Sequence, residues 1–177
     1  MTRTRSSADR RRRWTILAAA ALLAAFAPAA ARADQGLAFA VAGVVEAVLV
    51  KPGAEVAKGA ALARLDLRPL QAALRAAQAG VKAADVELEF ARANAKRVEQ
   101  LHEDLSTSTE ELEQAKLTVA RAQAGRDKAA AEAAIAGWRL ERGTLTAPAD
   151  GTVTQVPGYP GLVVDPGRDL TPVVMMK

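Results

Sequence analysis

A chain of 177 residues has room for one ordinary domain, or for a small domain carrying an extended element. Half of its residues are apolar, chiefly alanine, and aromatic residues make up only 3%, which excludes a large globular core and points to long helices in close contact. The formal charge of +4 does not indicate nucleic acid: seven arginines and one aspartate lie within residues 1–33, and the remainder is slightly acidic. No cysteine is present, so disulfides, thiolate metal sites and a lipid-bearing cysteine are excluded.

Residues 1–33 carry an export pattern. A basic stretch (Arg3, Arg5, Arg10 to Arg13) precedes an apolar run from Trp14 to Ala27, and Pro28 breaks it. Ala31-Arg32-Ala33 then offers small residues where a signal peptidase needs them. The expectation is a cleavable signal peptide. An uncleaved inner-membrane anchor is the alternative, for which the run is short.

Within the segments 34–66 and 144–177, two stretches match each other without a gap at an offset of 108 residues. Gly43, Val45, Val48, Pro52, Gly53, Val56, Gly59 and Leu62 recur as Gly151, Val153, Val156, Pro160, Gly161, Val164, Gly167 and Leu170. Alternating valines predict strands, and the Pro-Gly pairs predict tight turns with glycine at positive φ. A strand unit of this size cannot bury its own apolar face, so the two copies are expected to pack on each other as a small β-sandwich with pseudo-two-fold symmetry.

Between them, residues 67–143 turn helical. Leu67, Leu70, Leu74, Ala77, Val81, Ala84, Leu88, Ala91, Ala95 and Val98 keep the three–four spacing of a heptad seam, which continues to His102 and Leu105. A second seam runs through Leu112, Ala115, Val119, Ala122, Ala129, Ala133, Ala136 and Leu140, with Arg126 as a polar break. Ser106 to Thr109 are poor helix formers, and Ser108 with Glu111 makes a capping box, so the second helix should start there. The pattern predicts an antiparallel coiled-coil α-hairpin with its tip at about residues 105–108. It should enter and leave the sheets at Asp66 and Thr144. Trp138 is expected to pack the hairpin base against the sheets.

The flanks at 43–59 (Gly-Val-Val-Glu-Ala-Val-Leu-Val-Lys-Pro-Gly-Ala-Glu-Val-Ala-Lys-Gly) and 145–153 (Leu-Thr-Ala-Pro-Ala-Asp-Gly-Thr-Val) resemble the two halves of a biotinyl/lipoyl-like domain. A chain of this α+β class, a split lipoyl-like β-sandwich with a long inserted α-hairpin, resembles the membrane-fusion or periplasmic adaptor subunits (HlyD-like) of efflux pumps and type I secretion systems. The resemblance implies a non-enzymatic periplasmic protein without cofactor. It would join an inner-membrane transporter, of the RND or ABC type, to a TolC-like outer-membrane channel, as a homo-oligomeric ring, sixfold in the family. Adaptors that dock on such channels resemble one another at the tip in an Arg, a Leu four residues on and a Ser seven beyond. Here these are Arg97, Leu101 and Ser108, and the resemblance implies that Arg97 and Ser108 hydrogen-bond the channel while Leu101 packs into a groove on it. Taken singly, Arg97 reads as a solvated charge, Leu101 as tip packing and Ser108 as a helix cap.

The family continues into a β-barrel and a membrane-proximal domain, whereas this sequence stops at Lys177; the expectation is a minimal adaptor, an accessory subunit or a truncated frame. Little stands between Ala33 and the first half to supply a further strand. A lipoyl-type carrier is disfavoured because Lys51 and Lys58 fall in turns within the first half and Met175-Met176-Lys177 is misplaced for modification. The other alternative is a periplasmic coiled-coil spacer without a channel partner. His102, the sole histidine, sits on a seam with no nucleophile, phosphate loop or ligand cluster beside it, so no enzyme is expected.

Overall fold

The computed structural model of the protein describes residues 34–168 and 171–177; the predicted export signal at 1–33 and the repeat residue Leu170 lie outside them. The elements run β1 (Gln35–Leu37), β2 (Gly43–Val48), β3 (Glu55–Val56), β4 (Ala61–Leu65), α1 (Arg68–Glu103), α2 (Thr109–Glu141), β5 (Thr144–Thr146), β6 (Gly151–Gln155), β7 (Val163–Val164) and β8 (Val174–Met176). They form two four-stranded sheets, ordered β1-β8-β6-β3 and β5-β4-β2-β7, with every pairing antiparallel.

The internal repeat is written into the pairing. Gly43 and Val44 lie opposite Val164 and Val163, while Val56 and Glu55 lie opposite Gly151 and Thr152, so exchanging the two copies maps one ladder onto the other. The amide of Gly53 donates to Val153 C=O and that of Gly161 to Val45 C=O, each at 2.8 Å. Both glycines have positive φ, 85° and 91°, the conformation their Pro-Gly turns demand. Each copy therefore supplies strands that the other completes. Inner residues of both sheets, including Val45, Leu62 and Leu65 from one and Val153, Val174 and Met176 from the other, share a single buried cluster. Against expectation, residues just after Ala33 do supply a strand: β1 pairs with β8, Gln35 opposite Met176. Its three residues are too few to display a period in the sequence.

Lys51 and Lys58 lie in exposed turns. The Lys58 amide donates to Asp150 Oδ1 at 2.7 Å, so the Ala-Pro-Ala-Asp-Gly turn of the second half clasps the first.

The hairpin arms join the sheets side by side, for Arg64 lies opposite Thr144 and the Leu65 amide donates to Gly143 C=O at 2.9 Å. At the start of α1, Leu67 occupies the N-cap position with no side-chain cap. Asp66 substitutes: its carboxylate accepts from the Arg68 amide at 3.0 Å and from the Arg68 guanidinium at 2.9 and 2.7 Å. Those bonds, the guanidinium ones foremost, hold the Asp66 pKa down to about 2. At the far arm, a Cβ on Gly143 would fall 2.6 Å from Leu67 Cδ2 and 3.1 Å from Leu140 C=O; glycine alone lets α2 leave so close to the entry of α1.

The two helices, 36 and 33 residues, reach about 50 Å from the sheets at 1.5 Å per residue. The predicted seams face each other. Leu88 and Ala91 of α1 and Leu112, Ala115 and Ala136 of α2 are buried, and other seam positions are half-buried. The polar break, Arg126, crosses the seam to Asp85 at 3.1 Å and also meets Asp127 at 3.7 Å. Alanine on a seam removes little apolar area from water, so the pairing rests on length more than on depth. Trp138 stands at the base, 45% exposed, lining a groove of about 440 Å³ with Leu70, Ala40 to Ala42 and Asp165 to Gly167; the Arg142 guanidinium lies 5.9 Å over its ring. It bridges hairpin and sheets only in part.

Candidate functional site at the hairpin tip

The tip is built by two complementary helix ends. In α1, the Ser106 amide donates back to Leu101 C=O at 2.8 Å and the Leu105 amide to His102 C=O at 3.0 Å. This is the six-to-one and five-to-two pairing of a Schellman stop, which needs a left-handed residue just past the helix. That residue is Leu105, with φ 56°. The seam reading of Leu105 is thereby corrected. Once the chain turns at Asp104, Leu105 can no longer face α2, and it stands 93% exposed at the apex. His102 keeps its seam place, half-buried, with Nδ1 donating to Thr107 C=O at 3.3 Å.

On the α2 side, Ser108 has extended backbone and its hydroxyl accepts from the Glu111 amide at 3.2 Å, the N-cap expected from the sequence. Glu110 and Glu111 occupy the first turn, where carboxylates are favoured by the helix dipole. Glu103 and Asp104, also exposed, add carboxylates at the same end of the hairpin.

Arg97 and Ser108 are exposed, and Leu101 is 43% exposed. Arg97 and Leu101 are four apart on α1 and so share a face; the Schellman bond to Leu101 C=O ties that face to the turn leading to Ser108. The tip thus presents a guanidinium, two leucines and a hydroxyl within the last turns of the hairpin. Leu105 was missed as a surface residue, because a leucine in heptad phase reads as seam. The available signal was the absence of glycine or asparagine where the first helix had to stop.

A leucine in the left-handed region costs about 1 kcal/mol or more relative to glycine, and exposing it forgoes burial. Leu105→Gly is therefore expected to stabilise the hairpin by about 1 kcal/mol, read as a higher melting temperature by circular dichroism. A lower one would show that Leu105 has packing within the chain.

Below the tip, a groove of about 560 Å³ between the helices is lined by Ala95, Leu112 and Val119 under Arg92, Lys96, Glu99 and Lys116. Among the described residues, no helix is long and apolar enough to cross a membrane.

No family model matches the chain, and no curated protein does. Solved structures do. The membrane fusion protein Spr0693 of Streptococcus pneumoniae R6 superposes with a TM-score of 0.63 at 21% identity, over 82% of this chain and 59% of that one. ZneB of Cupriavidus metallidurans superposes at 0.59 with 19% identity, over 83% and 61%. A MacA–MexA chimera bearing the Pseudomonas aeruginosa MexA α-hairpin superposes at 0.50 with 23% identity, over 82% and 46%. The chain spans 46–61% of the length of these three solved chains. A long two-helix hairpin rising from antiparallel sheets is common to them, and this chain has the fold of the membrane fusion, or periplasmic adaptor, proteins.

Proposed function

We propose that the chain is a periplasmic adaptor subunit, exported by a cleaved signal at residues 1–33, that links an inner-membrane transporter to a TolC-like outer-membrane channel for efflux or secretion. In this reading residues 34–66 and 144–177 are the halves of a lipoyl-like sandwich, and residues 67–143 are the hairpin that projects toward the channel. Several copies, six by resemblance, stand as a ring whose hairpins form a tube. No catalytic step is assigned to it.

One observation supports the reading: Arg97, Leu101 and Ser108, with the apical Leu105, are exposed within the last turns and the tip of a hairpin about 50 Å long. A leucine held outward in an unfavourable backbone conformation gains nothing from the chain's own packing. A partner that covers it supplies the missing burial. The guanidinium is a rigid fork of donors suited to carbonyl or carboxylate groups on helix ends, and the Ser108 hydroxyl keeps a lone pair and a proton free beyond its cap bond.

Cross-linking tests it, since the chain has no cysteine of its own. A single cysteine at Ser106, treated in cells with a short bifunctional reagent, is expected to give an adduct with an outer-membrane channel. The exposed mid-helix control Gln78→Cys is expected to give no such adduct. A channel adduct from neither position, or from both equally, would sink the docking role and favour a spacer without a channel partner.

A further inference from the structure

The groove of about 560 Å³ between the helices has the size of an ordinary small-molecule site. Its floor is apolar: Leu112 is buried, and Ala95 and Val119 are half-buried. Alanine explains why the seam is sunken here. Ala91 and Ala95 stand on it between the larger Leu88 and Val98, and two methyl groups leave the floor without the atoms that would fill it.

The rim is cationic. Arg92, Lys96 and Lys116 line it, with Glu99 as the one carboxylate, and all four are exposed. Long basic side chains lay their apolar stems along such a groove and keep the charge at its edge. No ion pair engages any of the four among the described residues. Arg92 is nevertheless held. Its Nη2 donates to Gln123 Oε1 at 2.8 Å, and Gln123 Nε2 donates to Asp127 Oδ1 at 3.1 Å. Arg126 in turn ties Asp127, at 3.7 Å, to Asp85, at 3.1 Å. The Asp127 carboxylate thus turns the Gln123 amide so that a neutral oxygen faces Arg92, which fixes the guanidinium without neutralising it.

The two ends of the groove differ. Arg92 stands level with Gln123, its partner across the hairpin. Glu99 lies about two turns nearer the tip on α1, and Lys116 about two turns nearer it on α2, so these two offset each other. Arg92 and Lys96 remain as net positive charge at the lower end. From there the apolar floor runs past Ala95 and Val119 to Leu112, about 16 Å along α2 from Gln123. We propose that the groove binds a single-chain anionic amphiphile, a free medium-chain fatty acid. Its carboxylate sits on Arg92 and Lys96, and its tail covers Ala95, Val119 and Leu112. A guanidinium fork suits a carboxylate, and the tail and the floor remove each other from water. The site lies below the tip and does not rest on the adaptor reading.

Calorimetric titration of the chain, purified from cells without detergent, tests this with dodecanoate below its micelle concentration. One molecule is expected to bind per chain, at least ten times more tightly than dodecyltrimethylammonium or dodecyl maltoside. Arg92→Gln combined with Lys96→Gln is expected to weaken dodecanoate at least tenfold at unchanged helix content. Ala95→Leu, which fills the floor from within, is expected to weaken it as much while raising the melting temperature of the hairpin. No saturable binding, equal affinity for the cationic amphiphile, or dodecanoate binding unchanged by either variant would overturn the site. So would sedimentation with phosphatidylglycerol vesicles, abolished by the Arg92 and Lys96 substitutions, in a chain that leaves dodecanoate free; the rim would then serve a lipid surface. Binding is measured without a channel, so its failure leaves the docking role to the Ser106 adduct, and loss of that adduct leaves the groove standing.

Discussion

Arg97→Asp combined with Ser108→Arg is expected to lower the Ser106 channel adduct by about a hundredfold, two charge-assisted or hydroxyl hydrogen bonds at about 1.4 kcal/mol each. The variant also changes the tip itself. Removing the Ser108 acceptor from the Glu111 amide deprives α2 of its cap, worth about 1 kcal/mol, so a fall in adduct could follow from fraying. Two single variants separate the causes. Ser108→Asp retains a capping oxygen and is expected to melt like the parent. Ser108→Ala is expected to melt lower by the value of the cap. If Ser108→Ala lowers stability yet leaves the adduct unchanged, the serine is a cap and no more. An unchanged adduct in the double variant removes both residues from any docking surface.

The largest stability effect is expected at the junction of sheets and hairpin. Leu65 is fully buried, lies opposite Val45, and donates its amide to Gly143 C=O where α2 returns. Leu65→Ala is expected to cost about 3 kcal/mol, the loss of transfer energy plus an unfilled cavity. That is a large share of what a small domain has. Denaturant unfolding measures it, and Leu65→Met, which conserves volume, is expected to cost less than about 1.5 kcal/mol. A cost under 1 kcal/mol for the alanine variant would mean that the two sheets collapse around the gap and that the core is looser than its burial indicates.

Much of this architecture was legible because its signals are periodic or repeated. A heptad seam survives alanine richness, for the spacing of Leu67 through Val98 holds over ten positions. The ungapped repeat placed two Pro-Gly turns, and both glycines have the positive φ the turns require. Ser108 was readable as a cap because its partner amide lies three residues on, within one turn. What stayed hidden is non-local or very short. β3 and β7 have two residues each and β1 three, lengths at which alternation carries no information, and only their partners in the other half define them. Leu105 misled because heptad phase continued one position past the true helix end.

The split repeat has a consequence for how the chain acquires its structure. β1, β2 and β3 find their cross-half partners in β8, β7 and β6, at the opposite end of the described chain, and joining such distant segments through a loose loop is entropically costly and slow. The hairpin changes that. Its helices form from local contacts and close at the tip through a turn of a few residues, and zipping them returns Gly143 to Leu65. Helix formation therefore does the work of loop closure, delivering the late half to the early one already aligned. Until the helices meet, β1 and β3 have no partner strand within the first half.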